Sequence, residues 1–89
     1  SLYNGTLTSG SITFNYGNYN FYVIIGRPSS TASRTSLVVP RILLTTSAVS
    51  FQIADESNYK AFNLSYSGST VTLAMGNGAG QINRVFGIN

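Results

Sequence analysis

From residue 49 onward the chain alternates apolar and polar positions with a period of two. Val49, Phe51 and Ile53 alternate with Ser50 and Gln52, and Phe62, Leu64 and Tyr66 with Asn63 and Ser65; Val71, Leu73 and Met75 alternate with Thr72 and Ala74. Successive side chains of a strand leave it on opposite faces, so this pattern predicts three half-buried strands. A last strand is expected over Ile82 to Ile88. Upstream, Leu2 to Thr8 and Ser11 to Asn15 flank Ser9-Gly10, which reads as a two-residue hairpin turn. Asn15-Tyr16-Gly17-Asn18 makes a turn into Phe21-Tyr22-Val23-Ile24-Ile25, and Gly26 opens the polar loop Arg27 to Arg34. Thr35 to Leu44 follows, interrupted by Pro40, whose missing N–H implies an edge strand or a bulge. Asp55 to Ala61 is the one stretch where a helical turn fits. The expected fold is all-β: an antiparallel, jelly-roll-like β-sandwich of about eight short strands.

Alternation assigns Ile12, Phe14, Phe21, Val23, Ile25, Val49, Phe51, Ile53, Phe62, Leu64, Val71 and Leu73 to the inner faces. Tyr22 and Ile24 then point outward, and Val39, Ile42, Leu43 and Leu44 exceed what one inner face needs. Apolar surface outside a core marks a subunit interface more often than an isolated exposed residue does. If strands simply alternate in direction, the loops at 26–34, 54–60 and 76–80 share one end. The turns at 16–19, 45–47 and 67–69 share the other with both termini.

The chain has 89 residues, enough for one domain and one core. Charged residues make up 8%: the acids Asp55 and Glu56 and the bases Arg27, Arg34, Arg41, Lys60 and Arg84. His and Cys are absent. That removes the commonest general base, thiol nucleophiles, disulfides and zinc sites, and no cofactor or metal is expected. The net charge of +3 comes from scarce acids without a basic cluster, so it gives no footprint for nucleic acid. No apolar run approaches the ~18 residues that span a bilayer, so no membrane insertion is expected. The polar remainder is rich in Ser, Thr, Asn and Gly, which suits strands and tight turns. The opening Ser1-Leu2-Tyr3 lacks an initiator Met, which fits a fragment of a longer chain.

Enzyme chemistry finds little footing. A glycosidase needs two carboxylates converging on one bond, and neighbours such as Asp55 and Glu56 project to opposite sides of an extended segment. They read instead as a solvated loop or as a salt bridge to Lys60. Serine is abundant, but no histidine activates it. Gly76-Asn77-Gly78-Ala79-Gly80 lacks the spacing and the following helix of a nucleotide-binding loop and reads as a strand-to-strand turn. Tyr59, with Asp55, Asn58 and Lys60 nearby, is the best ligand candidate, because sugar recognition combines an aromatic face with a few amide or carboxylate groups. The alternative has Tyr59 capping the core. Arg27 and Arg34 bracket a polar loop and either bind phosphate or carboxylate groups bidentately or keep the loop solvated. Tyr16, Asn18 and Tyr19 form a second aromatic cluster, expected near the tethered end and read as interface packing.

Residues 2 to 14, Leu-Tyr-Asn-Gly-Thr-Leu-Thr-Ser-Gly-Ser-Ile-Thr-Phe, resemble the opening of C-terminal domains of bacteriophage tail-fibre receptor-binding proteins. The resemblance continues through the tyrosine-rich turn Tyr16 to Asn20, the strand Phe21 to Gly26, Val38-Val39-Pro40, and the ending Val85-Phe86-Gly87-Ile88. It covers nearly the whole chain, in short motifs. It implies that residues 1–89 form a single C-terminal tip domain, a trimeric β-sandwich knob on a longer fibre protein. Such a homotrimer is non-enzymatic and sits in the virion, at the fibre tip. It attaches to a bacterial surface polysaccharide, teichoic acid or protein through its distal loops. The resemblance transfers no binding residues, because tip loops diverge most in such proteins; the candidate ligand residues Arg27, Arg34, Asp55, Asn58, Tyr59 and Lys60 come from the loop chemistry above. Two alternatives remain: a domain that only trimerises and caps the fibre, and a carbohydrate-binding module of an enzyme.

Overall fold

A computed structural model describes residues 1–89 throughout. Eight strands form: β1 (Tyr3–Leu7), β2 (Ser11–Asn15), β3 (Phe21–Arg27), β4 (Thr35–Pro40), β5 (Val49–Ala54), β6 (Tyr59–Ser67), β7 (Thr70–Gly78) and β8 (Gln81–Ile88). The only helical segment is a single 3-10 turn at Arg41–Leu43. The helical turn expected within Asp55 to Ala61 does not form, because Tyr59, Lys60 and Ala61 pair with Ala54, Ile53 and Gln52 as the start of β6. The helical segment instead follows Pro40, whose ring ends β4.

The strands make two antiparallel four-stranded sheets, ordered β1-β8-β3-β4 and β2-β7-β6-β5. The chain is an all-β sandwich. Since β1 and β2 lie in different sheets, Ser9-Gly10 is a crossover between sheets and not a hairpin. The hairpins are β3–β4, β5–β6 and β6–β7. Pro40 ends β4, an edge strand, where its missing N–H costs no central ladder bond.

Tyr22, Ile24 and Val39 of the first sheet are buried between the layers against Phe14, Ile53, Phe62, Leu64, Val71 and Leu73 of the second. This corrects the expected faces of β3. Tyr22 and Ile24 point inward, while Phe21, Val23 and Ile25 point outward. The cause lies in the sequence itself: β3 opens with five successive apolar residues, so parity alone cannot tell one face from the other. Of the apparent surplus, Val39 and Leu44 join the core, whereas Ile42 stays 90% exposed and Leu43 half exposed.

Each strand crosses the full layer, so connections alternate between two ends. Loops 8–10, 28–34, 55–58 and 79–80 gather at one end, where Gly80 N–H donates to Tyr59 C=O at 3.3 Å. Turns 16–20, 41–48 and 68–69 gather at the other with both termini. They are tied by Tyr16 N–H to Ser69 C=O at 2.7 Å, Asn20 N–H to Ile88 C=O at 2.9 Å and Arg41 N–H to Asn20 C=O at 2.9 Å. The domain is elongated, with extents of 35 × 23 × 20 Å.

Candidate functional site

At the distal end, Asp55 builds the turn that leads into β6. Its Oδ1 accepts from Ser57 N–H at 2.9 Å and from Asn58 N–H at 2.8 Å, so the carboxylate replaces a backbone acceptor. These bonds, Asn58 first and Ser57 next, hold the Asp55 carboxyl below its usual pKa. Lys60 alternates inward with Phe62 and Leu64 and is buried; its Nζ donates to Gly78 C=O at 3.1 Å. It does not pair with Asp55, so of the two expected arrangements the exposed loop forms and the salt bridge does not: strand parity sends the lysine under the loop. Tyr59 takes the other face and is 44% exposed. Glu56 and Asn58 are exposed. Arg27 ends β3, in register with Gln81 on the first sheet, and Arg34 is exposed in loop 28–34. Topology thus gathers all six candidates at one end, Arg27 and Arg34 on one layer and Asp55 to Lys60 on the other. No groove forms among them.

The outer faces of the two sheets differ sharply. On the second sheet, Ser11, Ala74, Asn63 and Ser50 stand in one row across the strands, and Thr13, Thr72 and Ser65 in another. This face carries no charge. On the first sheet, Phe21, Val23, Ile25, Val38, Phe86 and Ile88 share the outer face. Val38 is 54% exposed, and Arg84 lays its guanidinium over the Phe86 ring at 4.3 Å.

The one groove of the molecule, about 530 Å³, lies at the end that carries the termini. It is lined by Tyr16, Asn20 and Phe21 around the start of β3, by Pro40, Arg41, Ile42 and Leu44 around the 3-10 turn, and by Tyr66 of β6. Tyr16 and Tyr66 stack in parallel, with centroids 4.8 Å apart and planes 6° from parallel. The Arg41 guanidinium lies over the Tyr16 ring, 4.8 Å from its centroid, and its Nη1 donates to Gly17 C=O at 3.0 Å. Tyr19 instead meets Tyr22 edge-on at 6.2 Å. Within one chain, Tyr16 thus contacts Tyr66 and Arg41, and Tyr19 contacts Tyr22.

Arg41, Phe21, Ile42 and Tyr66 are the groove residues that sequence reasoning passed over. A signal for Arg41 existed: it is the only charged residue between Thr35 and Ala54. Its neighbours come together only through the crossovers between sheets. Comparison with protein-family models, curated proteins and solved structures returned no match.

Proposed function

We propose that this domain is a host-attachment module, the receptor-binding tip of a phage tail fibre, working as a homotrimer at the virion's outer end. One observation carries the reading: both termini leave from one end of the sandwich, and four loops are displayed at the other. A domain tethered through its termini presents Arg34, Glu56, Asn58 and Tyr59 outward, on a scaffold whose rigidity comes from paired strands. The partner is a bacterial surface polysaccharide, teichoic acid or protein. The mechanism is non-enzymatic adhesion: three weak sites on one fibre gain about two to four orders of magnitude in avidity over a single site.

A second reading, a domain that trimerises and caps the fibre while another segment touches the host, is favoured by the apolar outer face of the first sheet. One experiment separates the two. A fluorescent fusion of the domain is tested on a panel of bacterial cells by flow cytometry, beside Arg34→Ala and Tyr59→Ala variants matched for oligomeric mass. Adhesion predicts staining of a subset of strains that the variants lose. A trimeric protein that stains no strain, or variants that stain as well as the parent, favour the capping role.

A further inference from the structure

The groove beside Arg41 has the properties of a docking site with defined chemistry. Arg41 is already fixed by the Tyr16 ring and by Gly17 C=O, so an acid meeting it does not have to immobilise a free side chain. Its Nε and Nη2 make no hydrogen bond within the protein, leaving part of the guanidinium fork for an external acceptor. Both acidic side chains of the chain, Asp55 and Glu56, sit at the opposite end, so no acidic side chain of its own chain pairs with Arg41. A planar fork of N–H donors matches a carboxylate in a bidentate pair.

The walls specify the rest of the ligand. Phe21, Pro40, Ile42 and Leu44 flank Arg41 with apolar surface, and Ile42 projects into solvent at its rim. Tyr16 already stacks on Tyr66 and carries the Arg41 guanidinium over its ring, so it is a poor platform for a sugar. The groove is partly open to solvent. A small molecule is held best where most of its surface is enclosed, whereas an open groove also accepts a segment of chain. We infer that the groove docks a peptide segment of another protein in which a carboxylate lies beside an apolar side chain. The carboxylate pairs with Arg41 and the apolar side chain packs against Phe21 and Ile42. This site is separate from the distal loops, and it stands whether or not those loops bind a receptor.

The test titrates the isotope-labelled domain with acetyl-Leu-Asp-Leu-amide, its Asn counterpart and glucuronate. The signals followed by NMR are the Arg41 Nε–H and the backbone amides of Gly17, Asn20 and Ile42. The Asp peptide is expected to shift them and to bind at least about tenfold more tightly than the Asn peptide. Arg41→Gln is expected to erase that difference. Ile42→Glu changes an exposed side chain, so the fold persists, and its carboxylate occupies Arg41 and weakens the Asp peptide by a similar factor. If Arg41→Gln fails to fold, Ile42→Glu carries the test. Four results overturn the inference: equal affinity of the Asp and Asn peptides, no shift at millimolar peptide, tighter binding of glucuronate than of peptide, or dilution-dependent shifts joining these signals to the Asp55–Glu56 loop, which make a second copy the occupant.

Discussion

Tyr22 shows how one side chain sets a local constraint. Its ring is fully buried between the sheets, so its hydroxyl needs a partner inside the protein, and it donates to Tyr16 C=O at 2.6 Å. Burial pushes its ionisation above the usual tyrosine value; nearby Tyr16 adds to this and Arg41 opposes it. A pKa raised by folding means the unfolded chain ionises first. The Tyr22 contribution to stability is therefore complete below about pH 10 and is lost as pH rises through the higher folded value. Urea midpoints are expected to fall across that alkaline range, and Tyr22→Phe to reduce the fall while costing about 0.5–1.5 kcal/mol at neutral pH. Asp55 has the opposite sign. Its lowered pKa gives a contribution present above about pH 4 and lost as pH falls through the folded value. Asp55→Ala should remove that acid-side dependence and speed hydrogen exchange at Ser57 and Asn58, leaving the sheets intact. The Asx turn was open to sequence reasoning because Asp55 precedes Ser57 and Asn58; the inward turn of Lys60 depended on the parity of β6.

Among the elements, β3 and the β6–β7 hairpin are the most informative. Since Ile24 faces the core and Val23 faces outward, Ile24→Ala is expected to cost about 2–5 kcal/mol in urea unfolding and Val23→Ala well under half as much. The reverse order would mean that β3 packs with its other face inward. In the hairpin, Gly78 has φ +114°, and a Cβ there would run into Tyr59 C=O. Gly78→Ala is expected to destabilise by more than about 1 kcal/mol and to loosen the Lys60–Gly78 contact, visible as faster exchange along the distal end of β7. Strands β5 to β7 were legible because strict alternation marks both position and face. The sheet partners of β1 and β2 were not, since a short polar turn reads the same whether it folds back or crosses to the facing layer. The bulge in β8 was equally hidden. It buries Asn83, whose Nδ2 donates to Gln81 Oε1 at 2.7 Å within the strand and to Gly5 C=O at 3.3 Å, a contact that exists only once β1 lies beside β8.

For the whole molecule, the contrast between the two outer faces governs association. A surface of Val23, Ile25, Val38, Phe86 and Ile88 gains free energy when covered, at roughly 25 cal/mol per Å² of apolar area, whereas the Ser/Thr/Asn face of the other sheet does not. If the homotrimer forms, Val38→Lys with Ile88→Lys is expected to shift the light-scattering mass toward one chain over a dilution series. Thr13→Lys with Thr72→Lys should leave it unchanged. A mass unaffected by the first pair would remove this face from the assembly. By itself the sequence determined the fold class, nearly every strand, the restriction of Pro40 to an edge or a bulge and, for strands of alternating direction, the sharing of loops between two ends. Each follows from period-two patterning, turn residues and the alternating direction of antiparallel strands. Tertiary structure alone decided which face of β3 is inside and that Arg41, Tyr16 and Tyr66 form one stack. Those depend on which sheet each strand joins, and sheet membership is fixed by long-range packing that no local pattern records.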